Sequence, residues 1–102
     1  MEVIKYLSHQ IHEEIEDAEK YTEAAIKYKE SFPEISQVLF NLGNEEMGHM
    51  DKLHTAVSRF IAEHRAKHGE PPAAMLAVYD YLHEEAIKNA KNVRILQEMY
   101  RR

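Results

Sequence analysis

Glu46 and His49 stand three residues apart in a stretch with helical periodicity. Side chains at that spacing leave one face of a helix, with Cβ atoms ~5–6 Å apart. A single metal ion can take a carboxylate oxygen and an imidazole nitrogen from such a pair. Glu14 is a third group of the same kind, because it interrupts an otherwise apolar row earlier in the chain. A carboxylate in an apolar row is costly, roughly several kcal/mol if left charged and unpaired. It is therefore expected to be paired, protonated or bound to a cation. The chain also holds 7 His in 102 residues, and histidine is the commonest metal ligand and a proton carrier near neutral pH.

The elements that position these groups are bounded by two breakpoints. At Ser31-Phe32-Pro33-Glu34, Ser31 and Glu34 have capping-box spacing, and Pro33 sits where a first helical turn tolerates it. At Gly69-Glu70-Pro71-Pro72, Gly69 suits a helix C-terminus and two prolines forbid continuation. Three helices are predicted, over about 3–30, 34–67 and 73–100, in one all-α domain spanning 1–102. The first carries the row Ile4, Leu7, Ile11, Glu14, Ala18, Tyr21, Ala25, Tyr28. The second carries Ile35, Leu39, Leu42, Glu46, His49, Leu53, Ala56, Phe60. Both rows alternate spacings of three and four, the seam of a helix bundle. The third reads Met75, Val78, Leu82, Glu85 or Ala86, Asn89, Val93, Leu96, Tyr100, in a weaker register.

Two helices joined by a short turn run antiparallel. Counted from residue 32, Glu14 is 18 residues away, Glu46 is 14 and His49 is 17. At a rise of ~1.5 Å per residue the three fall within about one turn of each other in height. They are the expected metal ligands, with Glu85 as a further candidate on the third helix. Competing readings remain open at this point. Glu46 and His49 could be a surface pair, and Glu14 a rim carboxylate paired with a lysine. A site from His12 and Glu19 is an alternative. Tyr21 and Tyr28 suit core or interface positions, and the methionines suit packing. His9, His12, Glu13, Glu16, His54, His64 and His68 read as solvated, and His83 as packed or surface.

Composition limits the function classes. A 102-residue chain is one domain long. Hydrophobic residues make up 44% and charged residues 30%, the balance of a globular chain rather than a disordered one. The scarcity of turn formers, 3 Gly and 3 Pro, disfavours an all-β domain. With 0 Cys, disulfides, thiol catalysis and cysteine-ligated metals are excluded. A net charge of −5 argues against a general nucleic-acid binder. No apolar run reaches membrane-spanning length, and Met1-Glu2-Val3-Ile4-Lys5 lacks the apolar stretch of a signal peptide. The expected location is the cytoplasm.

The pattern resembles the ferritin-like superfamily of di-iron carboxylate proteins. The resemblance rests on Glu14 with Tyr21 seven residues later, and on Leu42, Glu46, His49 and Leu53 as Leu-x3-Glu-x2-His-x3-Leu; it covers about residues 4–60. A full bundle of that kind has four helices and two Glu-x2-His pairs. This chain has three helices and one pair, the half-site form similar to encapsulated ferritins, whose short chains build the iron centre between subunits. The resemblance implies a homodimer, or a higher even-numbered oligomer, that completes the bundle and shares two iron ions per dimer. Manganese and zinc are alternatives. It implies Fe(II) oxidation by oxygen or peroxide, a ferroxidase-like oxidoreductase activity, linked to iron storage through a closed assembly or a partner shell protein. Tyr21 would then stand beside the ligands as a supporting or redox group. Two other functions fit the same residues. One is a rubrerythrin-like peroxide reductase, whose electron donor must be another protein because the chain has no cysteine. The other is a non-enzymatic helical interaction module in which the polar seam groups set register.

Overall fold

A computed structural model describes residues 2–102 and contains three α-helices and no strand among them: α1 (Glu2–Tyr28), α2 (Pro33–His68) and α3 (Ala73–Arg101). Met1, the first residue of the domain expected over 1–102, lies outside the described residues. All three helices fall where the breakpoints put them. Among the described residues no helix is long and apolar enough to cross a membrane.

The turn before α2 does not use the expected capping box. Phe32, at φ −140°, is the N-cap, and no side chain caps the helix. Proline excludes the residue before it from the α region, so Pro33 makes Phe32 the boundary and leaves Ser31 one residue too far out to reach the first amides. Phe32 is held instead by its own N–H, which donates to the Tyr28 carbonyl at 2.8 Å. Its ring meets the Tyr28 ring in an edge-on contact, with centroids 6.0 Å apart. The second break is as expected. Gly69 adopts φ 78° and donates its N–H to the Arg65 carbonyl, and Pro72 is the N-cap of α3. That backbone conformation suits glycine because it has no Cβ.

Helices α1 and α2 run antiparallel. The contacts pair Ala25 with Ser36, Ala18 and Thr22 with Gly43, and Glu14 with His49. Helix α3 returns parallel to α1 and antiparallel to α2: Tyr100 meets Phe40 and Gln37, Gln97 meets Asn44, and His83 meets His54. The molecule measures 55 × 19 × 18 Å with a radius of gyration of 16.4 Å. A compact globule of this length would have ~13 Å. The bundle is long and thin because α2 alone, at 36 residues, spans its whole length.

The core runs along the axis in two parts. The larger contains Ile4, Ile11, Ile15 and Ala18 of α1, Met47, Met50, Val57 and Ile61 of α2, and Ala90 and Val93 of α3. The smaller closes one end with Ala25, Phe40 and Tyr100. There the Phe40 and Tyr100 rings stack at 4.3 Å, and Tyr100 donates its hydroxyl to Gln37. On α1 the expected Ile4, Ile11, Ala18 and Ala25 are buried, whereas Leu7, Glu14, Tyr21 and Tyr28 are half-buried and Ile15 and Thr22 of the adjacent stripe are buried instead. The α2 row is displaced by one residue: Ser36, Phe40, Gly43, Met47, Met50, Val57 and Ile61 are buried, while Leu39, Leu42, Leu53 and Phe60 are half-buried and Ile35 and Ala56 exposed. One residue is a rotation of about 100°. Both rows carry bundle spacing, and the third helix covers the methionine side rather than the leucine side. On α3 the expected Ala86, Val93 and Tyr100 do face inward, and the row differs between and before them. Tyr79, His83, Ala86, Ala90, Val93, Gln97 and Tyr100 face inward, and Val78 and Leu82 are exposed.

Buried polar groups tie α1 to its neighbours. Ser36 donates to the Ala25 carbonyl across the hairpin, and Thr22 donates to its own Ala18 carbonyl at 2.7 Å. Gly43 lies against that turn: a Cβ there would stand 2.8 Å from Thr22 Oγ1 and 3.3 Å from the Ala18 carbonyl oxygen. The backbones therefore approach closely one turn away from Glu46. A Cβ added at Gly48 would meet nothing within 4 Å. Gly48→Ala is expected to raise stability by ~0.5–1 kcal/mol through helix propensity. Gly43→Ala is expected to lower it by about 1 kcal/mol or more, because overpacking outweighs the same gain. Thermal melts of the two variants check this, and equal stabilisation by both would remove the close approach as the reason for Gly43.

Candidate metal centre

Glu14, Glu46 and His49 meet on the face of the α1–α2 hairpin turned away from α3. Ala18 and Gly43 set the distance between the two helices one turn away, and the helical spacing of Glu46 and His49 aims both at Glu14. One ligand atom from each of the three lies within 4.8 Å of the others. His49 Nδ1 is 3.4 Å from Glu14 Oε2 and 3.8 Å from Glu46 Oε1. The carboxylate side chains are about four-fifths covered, at 20% and 19% exposure, whereas His49 is 52% exposed. The cluster is thus walled by the hairpin on one side and open on the other.

The electrostatics are those of a site short of positive charge. The Glu46 carboxyl is pushed up from 4.5 to about 7. Its hydrogen bond with Glu14 contributes most, then burial, then the Glu14 charge; Asp17 adds to the rise and His49 opposes it. Glu46 therefore holds its proton below neutral pH and donates it to Glu14. A cation placed among the three would remove the reason for that proton, since an ion favours both carboxylates in their charged form. Two carboxylates and one imidazole form a hard, oxygen-rich donor set suited to iron or manganese more than to softer metals. The residues present fit such an ion, and they leave its open side to other ligands.

The other expected groups lie elsewhere. Glu85 is half-buried and lines a cavity with Ser8, His12 and Tyr81 on the α3 side; it does not join the cluster. His12 borders that same cavity. Glu19 is paired instead with Glu23 on its own helix, and its carboxyl is raised first by burial and then by that neighbour. Tyr21 is half-buried two turns along α1 from Glu14, on the same stripe. Asp17, a contributor to the site's negative charge, was not among the expected groups. Its signal was available, because it stands three residues after Glu14 on one helix. His83, expected to be packed or at the surface, is half-buried, and His54, expected to be solvated, is half-buried too because its ring stacks on that of His83 at 4.8 Å.

Compared with protein-family models, with curated proteins and with solved structures, the chain matches none.

Proposed function

We propose that the protein is a di-iron protein of the ferritin-like kind that oxidises Fe(II) with oxygen or peroxide, its centre completed when two copies pair. The observation that carries this reading is the convergence of Glu14, Glu46 and His49 ligand atoms within 4.8 Å on the uncovered face of the hairpin. The carboxylate pair balances one divalent ion per chain. Two copies facing each other would supply four carboxylates and two imidazoles for two ions. When bound, the iron supplies the redox chemistry. The chain's own part is to hold the ligands at fixed height on two rigid helices, to keep the Glu46 proton until a cation replaces it, and to surround the site with apolar side chains.

The same face supports pairing. Leu39, Leu42, Leu53 and Tyr21 share the carboxylates' stripes and are only half-buried, and Ile35 is 55% exposed at its end. Helix α3 covers the other side of the hairpin, so it does not supply the missing half of the bundle. A second chain seated there would bury this apolar surface together with His49. Because the ions would be shared, assembly and metal binding should be linked. A thin dimer encloses no storage space, so a storage role would need a larger closed assembly or a shell protein.

An anaerobic Fe(II) titration with mass measured alongside tests the proposal, followed by oxygen consumption on exposure to air. The expected result is a dimer or higher even-numbered oligomer binding close to one iron per chain, with oxygen consumed in proportion. Iron that never binds, in a protein that is monomeric at micromolar concentration, would overturn it and leave the helical interaction module. Iron binding undisturbed by Glu14→Ala would move the site elsewhere.

A further inference from the structure

We propose that the cleft between α2 and α3 binds a medium-chain aliphatic carboxylate, its chain in the apolar cavity beside Ile11 and its charged end at Lys91 and Arg94 on the rim. The site lies on the side of the hairpin away from Glu14, Glu46 and His49, and it does not rest on the metal reading. The cavity measures about 300 Å³. That is the lower end of the range for small-molecule sites, ~300–1,000 Å³. Its walls are largely aliphatic. Buried Ile11 and Met50 come from α1 and α2, and Ala86, Ala90 and the 44% exposed Ile87 come from α3.

The space exists because α3 presents small residues toward α2. Ala86 and Ala90 stand four apart on one stripe, and their methyl groups leave the gap to Met50 and His54 unfilled. Protein interiors are close-packed, and a void forfeits the contacts its lining would otherwise make. An alkyl chain would restore those contacts and cover Ile87. The shape of the cleft is held by three stacked rings. His54 lies on His83 at 4.8 Å, and Tyr79 on His83 at 5.7 Å. A second cavity, of about 210 Å³, shares Ile11, His54, His83 and Ala86 with the first and gives a longer chain room to continue.

The charges at the rim select the polar end of the ligand. Between Ala86 and Gln97, α3 carries Lys88, Lys91 and Arg94 and no acidic residue, in a chain whose net charge is −5. Lys91 and Arg94 stand one turn apart and both line the cavity. Neither makes an ion pair or a side-chain hydrogen bond to a described residue. Asp51 lines the same rim, and two cations against its single carboxylate leave the rim positive. Farther along α3, Glu98 and Arg101 satisfy each other at 2.8 Å. A carboxylate accepts hydrogen bonds from an ammonium and a guanidinium together, so it suits this rim. From Lys91 back to His83 the helix rises about 12 Å at ~1.5 Å per residue, the reach of a medium-length alkyl chain.

The test is a calorimetric titration of the full chain, as purified, with hexanoate, octanoate, decanoate and octanol below their micelle concentrations, repeated with EDTA. Octanoate is expected to bind at one per chain. Affinity should rise about tenfold for each two methylenes added, since a fully buried methylene is worth up to about fourfold. Octanol has the same chain and no charge, and should bind about fivefold or more weakly. Lys91→Gln combined with Arg94→Gln should bring octanoate down to the level of octanol and leave octanol unchanged. Ala86→Leu fills the cavity and should weaken both ligands by about tenfold or more, with circular dichroism to check that the helices remain. Ile87→Ser, at an exposed position where the fold is not at stake, should weaken both by about threefold or more. No saturable binding at any chain length would overturn the proposal. So would octanol binding as tightly as octanoate, or octanoate binding that the glutamine pair leaves unmoved. Several ligands per chain, or binding that neither Ala86→Leu nor Ile87→Ser weakens, would place the ligand on the leucine face around His49 and overturn the site. Binding abolished by EDTA would put the carboxylate on a metal ion and overturn it as well.

Discussion

His49→Ala is expected to stay helical and to lose most Fe(II) oxidation, while His83→Ala keeps it nearly unchanged. His49 is half exposed and belongs to neither core cluster, so its truncation should leave no buried cavity and the fold should survive. What it removes is the one neutral donor at ligand spacing from Glu46. Glu14 and Glu46 would remain crowded, with Asp17 adding to their repulsion and the opposing effect of His49 gone. Loss of a group that only orients a ligand typically costs ~10–100-fold in metal affinity, and loss of a ligand itself should cost at least that. His83 stands on the far side of the hairpin, stacked between His54 and Tyr79. Its removal touches neither carboxylate. Iron affinity and initial oxidation rate, measured on both variants and the parent, decide the matter. The reverse pattern would place the chemistry on α3. Parental behaviour in both, with no iron bound in any, would favour the interaction module.

The parts of this arrangement that were legible in the sequence are those set by local rules. Pro33, Gly69 and the Pro71–Pro72 pair mark helix ends by backbone geometry alone, and the three helices begin and end within a few residues of them. The Glu14, Glu46 and His49 cluster was legible because heights along antiparallel helices can be counted from the turn. Rotation about a helix axis could not be counted in that way. On α2, the leucine row and the methionine row both have spacings of three and four, and only the position of α3 decides which is buried. On α3, Tyr79 and His83 form a stripe less apolar than Val78 and Leu82, yet they face inward. Ser36, Thr22 and Gln97 are buried because partners satisfy them: the Ala25 carbonyl, the Ala18 carbonyl and Asn44. Those partners depend on which helices touch, information absent from any single stretch of sequence. Ser31 misled for a simpler reason, since the restriction that proline places on the preceding residue overrides capping-box spacing.

Glu46→Gln is expected to trade metal binding for stability of the metal-free protein, with a sign that changes with pH. A carboxyl whose pKa is raised on folding binds more protons folded than unfolded between the two values. For Glu46 that window runs from 4.5 to about 7. The metal-free parent should therefore lose stability as pH rises through this window and lose no more from this group above it. The full shift would correspond to about 3 kcal/mol; water on the open side of the cluster reduces this to about 1–2 kcal/mol. Glutamine has the same shape and can still donate a hydrogen bond to Glu14, but it carries no charge to repel it. At pH 4 the variant and parent should melt alike. At pH 8 the metal-free variant should melt higher by several degrees, since ~1 kcal/mol moves the midpoint of a domain this size by about 4–8 °C. The Glu19 carboxyl, also raised, is present in both proteins and cancels in the difference. Anaerobic Fe(II) or Mn(II) at pH 7.5 should reverse the order, stabilising the parent and leaving the variant where it was. A group retained for packing behaves otherwise: its replacement destabilises the protein at pH 8 and added metal makes no difference. Melts at the two pH values, with and without metal, separate a carboxylate kept for a cation from one kept for the fold.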